Sequence, residues 1–391
     1  MRQLELIGER VELAEFFAHI ETCRDRNGRT HGFHPYPAKF IPHIPRELIA
    51  NYARPGDVIL DPMCGSGTVL VEAAISGHRA LGVDVNPVAV LVSRAKTARL
   101  TPAERGSLLK VAAQLGADGL RLEKNGNAFE REEGEADIPS FRNRELWFQG
   151  QVLRELAHAR RLINGIGGEE ARCVALCAFS AMVVAVSNQE SETRWCSKPK
   201  KVRAGQALSG IASKLEHFVG RLREFEALCP AEVRVYQADA RALPLAPEEA
   251  GVVITSPPYA NSHDYYLYNK LRLFWLGHDV CRVQDAEIGS RNRHSDRKEG
   301  VDVYVGDMKG VLSEVRRVLK RSGIAVFVVA DAVIRNVFYD MGELFEGIGS
   351  GSGFSIVERF EFAHKRFTSS FQKGFGTRQH KRTHVLVMQK R

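Results

Sequence analysis

Two short stretches of the chain hold residues whose types and spacing could do chemistry. The first is Asp61-Pro62-Met63-Cys64-Gly65-Ser66-Gly67-Thr68 and the second is Thr255-Ser256-Pro257-Pro258-Tyr259. In the first, glycines at 65 and 67 permit a tight turn whose backbone a ligand can touch, because glycine carries no Cβ. Free N–H groups at a helix start just beyond favour a polar or anionic ligand group. The dinucleotide spacing G-x-G-x-x-G fails here, since Leu70 stands at its third glycine. In the second stretch, two prolines make a rigid, non-helical exit and leave the Pro257 carbonyl outside any regular ladder, free to accept. Ser256 adds an oxygen acceptor beside it, and Tyr259 adds a flat ring. Two acceptors and a stacking face suit a planar base that carries an exocyclic amine. Each stretch alone also has a plain reading, a tight connection in one case and a rigid corner in the other.

The surrounding elements raise the chemical reading. Asp57-Val58-Ile59-Leu60 is an apolar run that reads as a buried strand, and Val69 to Ser76 is a helical run stopped by Gly77. The glycines therefore sit at a strand-to-helix turn. Arg79 to Asp84 reads as a further strand ending in a carboxylate. Asp84 lies about twenty residues past the turn, where an acid can accept from ribose hydroxyls. Asn86-Pro87 opens a further helix through Lys96. Strand, turn, helix, strand and terminal acid make a nucleoside-binding βαβ unit. The Ser256 stretch follows a strand too, Gly251-Val252-Val253-Ile254.

Between these halves the character changes. Val152, Leu156, Ala159 and Ile163 recur at helical spacing; Glu169 to Ser187 reads as a helix buried nearly all round; Leu208 to Phe225 marks an amphipathic helix. The expected organisation is residues 1–100 as an N-terminal strap plus the half carrying the glycine turn, 101–230 as a helical insertion, and 231–391 as the half carrying Ser256, with basic C-terminal loops. Within the strap, His31 to Pro42 mixes rings, a lysine and two histidines, and reads either as a cover on the core or as a pocket wall. Arg194 to Arg203 reads as a solvated loop or a phosphate contact. Ser290 to Gly300 reads as a mobile basic loop, Glu130 to Asp137 as a solvated linker, and Lys365, Arg366, Lys373, Arg378, Lys381 and Arg382 as loops able to track a phosphate backbone.

Composition narrows the class. The 391 residues are 44% hydrophobic, enough for a sizeable core, and the net charge of +8 suits a polyanionic partner. Seven scattered cysteines, without a zinc spacing, read as reduced thiols of a cytoplasmic protein. The N-terminus lacks the apolar core of a signal peptide, and the longest apolar stretch, Ala175 to Val186, is too short to span a bilayer.

Taken together, the two stretches resemble the S-adenosylmethionine-dependent DNA amino-methyltransferases. Asp61 to Thr68 is similar to the family's cofactor motif, usually written with Phe where Met63 stands. Thr255 to Tyr259 is similar to its catalytic motif, and serine ahead of the two prolines is typical of the cytosine-N4 branch rather than the adenine-N6 branch. His34-Pro35-Tyr36-Pro37-Ala38-Lys39-Phe40 resembles the segment preceding the cofactor motif in a cytosine-N4 subgroup. The resemblance implies an α/β, Rossmann-like methyltransferase fold with a mostly parallel central sheet and a helical insertion. It implies S-adenosylmethionine held by Phe40, Asp61, Pro62, Cys64, Gly65, Ser66, Gly67, Thr68, Asp84, Asn86 and Asp239, with Phe40 at the methionine end and Asp239 near the adenine amine. It implies a catalytic set of Ser256, Pro257, Pro258 and Tyr259, no metal, double-stranded DNA as partner, and a cognate restriction endonuclease acting separately. The order, cofactor motif before catalytic motif, departs from the common bacterial cytosine-N4 arrangement. Three alternatives stand beside cytosine N4: adenine N6 in DNA, an exocyclic amine in RNA, and a non-catalytic nucleic-acid-binding protein on the same fold. Intact Asp61, Gly65, Gly67, Asp84 and Ser256 argue against the last.

Overall fold

The structure, a computed structural model, describes residues 12–23, 25–125, 137–228, 231–296, 298–335, 337–363 and 381–391. In chain order, α1 (Leu13–Ala18) and α2 (His43–Tyr52) precede β1 (Ile59–Asp61), α3 (Thr68–Ile75), β2 (Ala80–Asp84) and α4 (Pro87–Thr97). Then follow α5 (Pro102–Asn125), α6 (Arg144–Trp147), α7 (Gly150–Asn164), α8 (Glu169–Val183), a hairpin of β3 (Gln189–Ser191) and β4 (Arg194–Ser197), and α9 (Gln206–Leu228). The chain returns with β5 (Val233–Gln237), β6 (Ala250–Thr255), α10 (Tyr265–Tyr268), α11 (Lys270–Leu276), α12 (Val280–Ala286) and α13 (Val301–Val318). It closes with β7 (Leu319–Ala330), a hairpin of β8 (Ala332–Ile334) and β9 (Val337–Tyr339), α14 (Met341–Gly351), β10 (Phe354–Ala363) and β11 (Arg382–Lys390).

Seven strands form one sheet in the order β10-β11-β7-β6-β1-β2-β5. Strands β7, β6, β1, β2 and β5 pair in parallel, and β11 runs antiparallel to both β7 and β10. Six of the seven strands therefore point one way, which is the mostly parallel α/β sheet expected. Side chains alternate between the two faces. Val58, Leu60, Val253, Phe327 and Val329 pack under α13 and α14. Ile59, Val252, Ile254, Val326 and Val328 pack against α1, α2 and α3. Between the neighbouring parallel strands β2 and β5, the chain makes α4 to α9, whose apolar faces share one large core with α11.

Tertiary packing hides some elements from local pattern. α14 contains Gly342, Gly347, Gly349 and Gly351, poor helix formers taken singly. A Cβ at Gly349 would lie 2.7 Å from Met388 Sδ, and one at Gly342 2.8 Å from His384 Nδ1. These glycines let the helix lie close on β11. Arg194 to Ser197 is the strand β4 rather than a loop, with the Trp195 ring tilted against that of Trp147, centroids 4.0 Å apart. The described part of the stretch 290–300 is anchored at several points. His294 and Ser290 are buried, and Arg293 pairs with Glu299 and with Asp307 of α13. Residues 130–136 and the basic positions Lys365, Arg366, Lys373 and Arg378 lie outside the described residues, as does the start of the N-terminal strap, residues 1–11. No described cysteine is in a disulfide, and no described helix is long and apolar enough to cross a membrane.

Candidate active site

The glycine turn joins β1 to α3. Both glycines sit in the left-handed region, φ 49° at Gly65 and 72° at Gly67, where side chains are strained. Their surroundings differ. A Cβ at Gly67 would meet Ser93 of α4, 2.7 Å from Oγ and 3.0 Å from Cα, whereas at Gly65 the nearest atom is Tyr36 Cε1 at 3.7 Å. Gly67 thus serves the packing of the turn on α4, and Gly65 faces the open cleft. The turn is held from several sides. Gly67 N–H donates to the Cys64 carbonyl (2.7 Å) and Cys64 N–H to Val83 (2.9 Å). Ser93 Oγ donates to the Gly65 carbonyl (2.9 Å), and the fully buried Lys96 ammonium to the Ser66 carbonyl (2.7 Å).

Asp84 ends β2 and ties this turn to the next. Its Oδ2 accepts from Gly65 N–H and its Oδ1 from Asn86 N–H, each at 2.8 Å. Asn86 in turn caps α4 through Val88 N–H (3.0 Å). Asp61 Oδ1 accepts from Met63 N–H (3.2 Å) and from Thr255 Oγ1 (2.8 Å). The Thr255 bond joins the two chemical stretches directly, because β6 lies beside β1.

The catalytic-motif exit is clamped. Tyr304 of α13 donates its hydroxyl to the Pro258 carbonyl (3.0 Å), and Asn261 N–H donates to the Gly289 carbonyl (3.0 Å). Among the described residues none donates to the Pro257 carbonyl. Ser256 Oγ donates to the Tyr259 hydroxyl (3.2 Å). This commits the serine proton and leaves the lone pairs of Oγ to accept.

One cleft of about 910 Å³, its open mouth included, gathers these parts. It is lined by Phe40, Asp61, Pro62, Cys64, Gly65, Ser66, Thr68, Asp84, Asn86 and Asp239 from the cofactor set, and by Ser256 and Pro258 from the catalytic set. Gly67, Pro257 and Tyr259 are not in the wall. The strap is both cover and wall. Its histidines turn inward, His31 Nε2 to Glu72 Oε1 at 2.7 Å and His34 Nε2 to Ser180 Oγ at 3.1 Å, while Tyr36, Ala38, Lys39 and Phe40 line the cleft. Tyr36 stacks on Tyr265 at 5.9 Å across the opening. Burial works to raise the Glu72 carboxyl, and bonds from His31 and Arg46 hold it below its usual range.

Asp239 lines the cleft, but Arg241 grips its carboxylate through Nε (3.0 Å to Oδ1) and Nη2 (2.6 Å to Oδ2). Only a lone pair left over from that grip can meet a ligand. The sequence missed the opposite wall, Val283, Ala286, Glu287 and Ile288. Glu287 is buried, accepts from Tyr265 N–H at 2.7 Å, and is pushed well above the usual carboxyl range by burial. It follows α12 with no motif around it, so only the fold brings it to the site. Lys96 and Ser93 were missed for the same reason, being ordinary helix residues until α4 is set against the turn.

Residues 10–94 match the N6_N4_Mtase family, described as DNA methylase. The type II methyltransferase M.MvaI of Kocuria varians is 23% identical over 79% of this chain and 78% of its own. The type II methyltransferase M.MjaII of Methanocaldococcus jannaschii is 22% identical over 86% of this chain and 77% of its own. By these matches the chain is similar to DNA amino-methyltransferases. Among solved structures, a SAM-dependent methyltransferase of Methanosarcina mazei aligns over 88% of this chain and 96% of its own at 11% identity, with a TM-score of 0.33.

The cofactor is S-adenosylmethionine, and the cleft fits it. Its walls mix aromatic and apolar surface with carboxyls suited to a ligand carrying an adenosine and two positive charges. Burial pushes the Asp61 carboxyl up to about 7 against bonds from Thr255 and Met63, and the Asp84 carboxyl up to about 6 against the Asn86 and Gly65 N–H groups. A cationic ligand favours both ionised forms. If both carboxyls face the bound cofactor, its affinity should be highest above neutrality. It should fall as the pH drops through about 7 and again through about 6, by up to about tenfold per pH unit for each carboxyl that must lose a proton. Calorimetry across this window tests the sign, and Asp84→Asn should remove the lower step while weakening binding throughout. A flat profile in the unaltered protein would take both carboxyls out of the cofactor's reach.

Proposed function

We propose that the chain methylates the exocyclic N4 amine of cytosine in double-stranded DNA. The observation that carries this reading is the shared cleft: Ser256 and Pro258 line the same space as Asp61, Gly65 and Asp84. S-adenosylmethionine supplies the electrophilic methyl group that the amine nitrogen attacks.

The amine is a poor nucleophile because its lone pair is delocalised into the ring. Ser256 Oγ and the Pro257 carbonyl are two adjacent acceptors, one for each amine hydrogen. Accepting both favours a pyramidal nitrogen with its lone pair out of the ring plane. Ser256 is a neutral acceptor, and burial raises the Tyr259 phenol despite its bond from Ser256, so neither is a base at neutral pH. The proton leaves to water once methylation has made the nitrogen acidic. The work of these residues is orientation, which can lower a barrier by about 7–11 kcal/mol. The base reaches them only after leaving the duplex, at a cost of a few kcal/mol, which stacking on Tyr259 offsets by about 1–3 kcal/mol.

Serine at position 256 supports cytosine N4 over adenine N6, and the match to a family described as DNA methylase supports DNA as the substrate. Incubation of mixed-sequence DNA with methyl-tritiated cofactor, followed by digestion to nucleosides, should give label on N4-methyl-2′-deoxycytidine. Label only on N6-methyl-2′-deoxyadenosine would refute the cytosine assignment, and label on tRNA but not DNA would refute the substrate.

A further inference from the structure

The stretch Arg194 to Arg203 holds five cations and no acid. Its two readings, solvated loop and phosphate contact, separate once each charge is followed to its partner. Arg194 pairs with Glu190 (3.1 Å) and Arg203 with Glu123 (3.7 Å). Lys200 turns inward, its ammonium donating to the Val184 carbonyl (3.1 Å). Lys198 and Lys201 are exposed and make no ion pair among the described residues. The acids of the β3–β4 hairpin are already engaged, Glu190 by Arg194 and Glu192 by the buried Arg272 of α11 (2.5 Å).

The backbone that carries the two lysines is fixed. Lys198 N–H donates to the Asn188 carbonyl (2.7 Å) and Lys200 N–H to Asn188 Oδ1 (3.2 Å). Gln149 Nε2 donates to the Lys200 carbonyl (2.7 Å) and Gln151 Nε2 to the Val202 carbonyl (3.0 Å). Pro199 stiffens the step between the lysines, and Val202 is buried. The ordering cost of this segment is thus met before any partner arrives.

The segment also lies beside the cleft. β4 rests against α10, whose Tyr265 lines the cleft. At the start of α11 the Lys270 ammonium lies 5.2 Å from the centroid of the Trp195 ring, and that ring packs on the buried Trp147. The hairpin is thereby joined to the helices that follow the Ser256 motif. A specific protein–DNA interface buries roughly 1,000–2,500 Å² of protein surface, far more than one everted base can cover. The rest of the duplex must lie on surface flanking the cleft.

We propose that Lys198 and Lys201 form a phosphate-contacting edge beside the cleft, holding the sugar–phosphate backbone of the duplex from which the base is everted. This inference rests on the DNA reading above and gives it a surface in the helical insertion. Contacts of this kind set the position of the duplex and carry no sequence information.

The test compares the double variant Lys198→Gln, Lys201→Gln with Lys198→Arg, Lys201→Arg, which keeps both charges. A further control, Lys320→Gln with Arg321→Gln, removes two cations at the start of β7, on the rim opposite the strand end that carries Ser256. Binding of two fluorescent duplexes of unrelated sequence is measured across a salt series, with tRNA alongside. KM, kcat and cofactor calorimetry are taken on the same preparations. The Gln pair at 198 and 201 should lower the slope of log K against log salt by about 1.8, the share of two phosphates, and equally on both duplexes. Its KM for DNA should rise about tenfold, while kcat at saturating DNA and the cofactor dissociation constant stay within about twofold. The Arg pair should keep the full slope. If the Gln pair keeps the full slope, the lysines do not meet phosphate; if the opposite-rim pair lowers it as much, they count only as general charge; either result overturns the inference. A slope lost on tRNA but not on duplex would assign the edge to RNA and overturn it as well. If the unaltered protein binds no duplex, the DNA reading itself fails and this inference with it.

Discussion

Ser256→Ala should lower kcat about 100-fold, equivalent to about 2.7 kcal/mol of transition-state stabilisation, while the cofactor dissociation constant stays within about twofold of its original value. The hydroxyl has no part in holding β6 to β1; that bond runs from Thr255 to Asp61. Nor does it shape the cofactor turn, which is fixed by Asp84, Ser93 and Lys96. Its one protein partner among the described residues is the Tyr259 hydroxyl. Removing it leaves an amine hydrogen without its protein acceptor, and the loss of a hydrogen-bond partner costs about 1–3 kcal/mol. That penalty falls on the pyramidal, attacking nitrogen more than on the flat one. Single-turnover methyl transfer and cofactor calorimetry on one preparation separate the effects. An equal loss of cofactor binding would mean that Ser256 touches the cofactor and that its assigned role is wrong.

The place of Ser256 at a strand exit beside the cleft was legible in the sequence because that geometry is local. A strand followed by two prolines states its own geometry, and the same holds for the glycine turn and for Asp84 at a strand end. The alternation of Leu60 and Ile59, or of Phe327 and Val326, likewise announces a sheet covered on both faces. What was not legible depends on packing between distant segments. Glu287 and Ile288 reach the cleft only because α12 packs opposite Asp84. Asp239 has the right type and place, yet its neighbour Arg241 takes its carboxylate, and Asp307 of α13 orients that arginine (2.6 Å). Arg293 looked like a solvated cation and is instead the next link of the same chain of ion pairs. Charge counted along a sequence cannot tell a free cation from a paired one. The strap shows the converse, since its two readings, cover and wall, proved to be the inner and outer sides of one segment.

The glycine turn gives another large effect, because its two glycines, alike in sequence, should fail differently. Gly67→Ala should destabilise the protein by about 3 kcal/mol, combining about 1–2 kcal/mol for a side chain in the left-handed region with displacement of Ser93, whose Oγ and Cα would lie 2.7 and 3.0 Å from the new methyl. The displaced turn takes Gly65 N–H away from Asp84, so cofactor affinity should fall at least about tenfold, the loss of about one charge-assisted hydrogen bond. Gly65→Ala meets nothing nearer than Tyr36 Cε1 at 3.7 Å. It should cost only the conformational strain, with a modest change in melting temperature, and its cofactor loss should come from a methyl group facing the cleft. Melting curves and calorimetry of both variants make the comparison. Adding Ser93→Gly to Gly67→Ala removes the clash with the Ser93 side chain but keeps the strain and the crowding against the backbone of residue 93, so it should recover part of the lost stability. If the double variant melts no higher than Gly67→Ala, the fit of the turn against α4 is not what requires a glycine there.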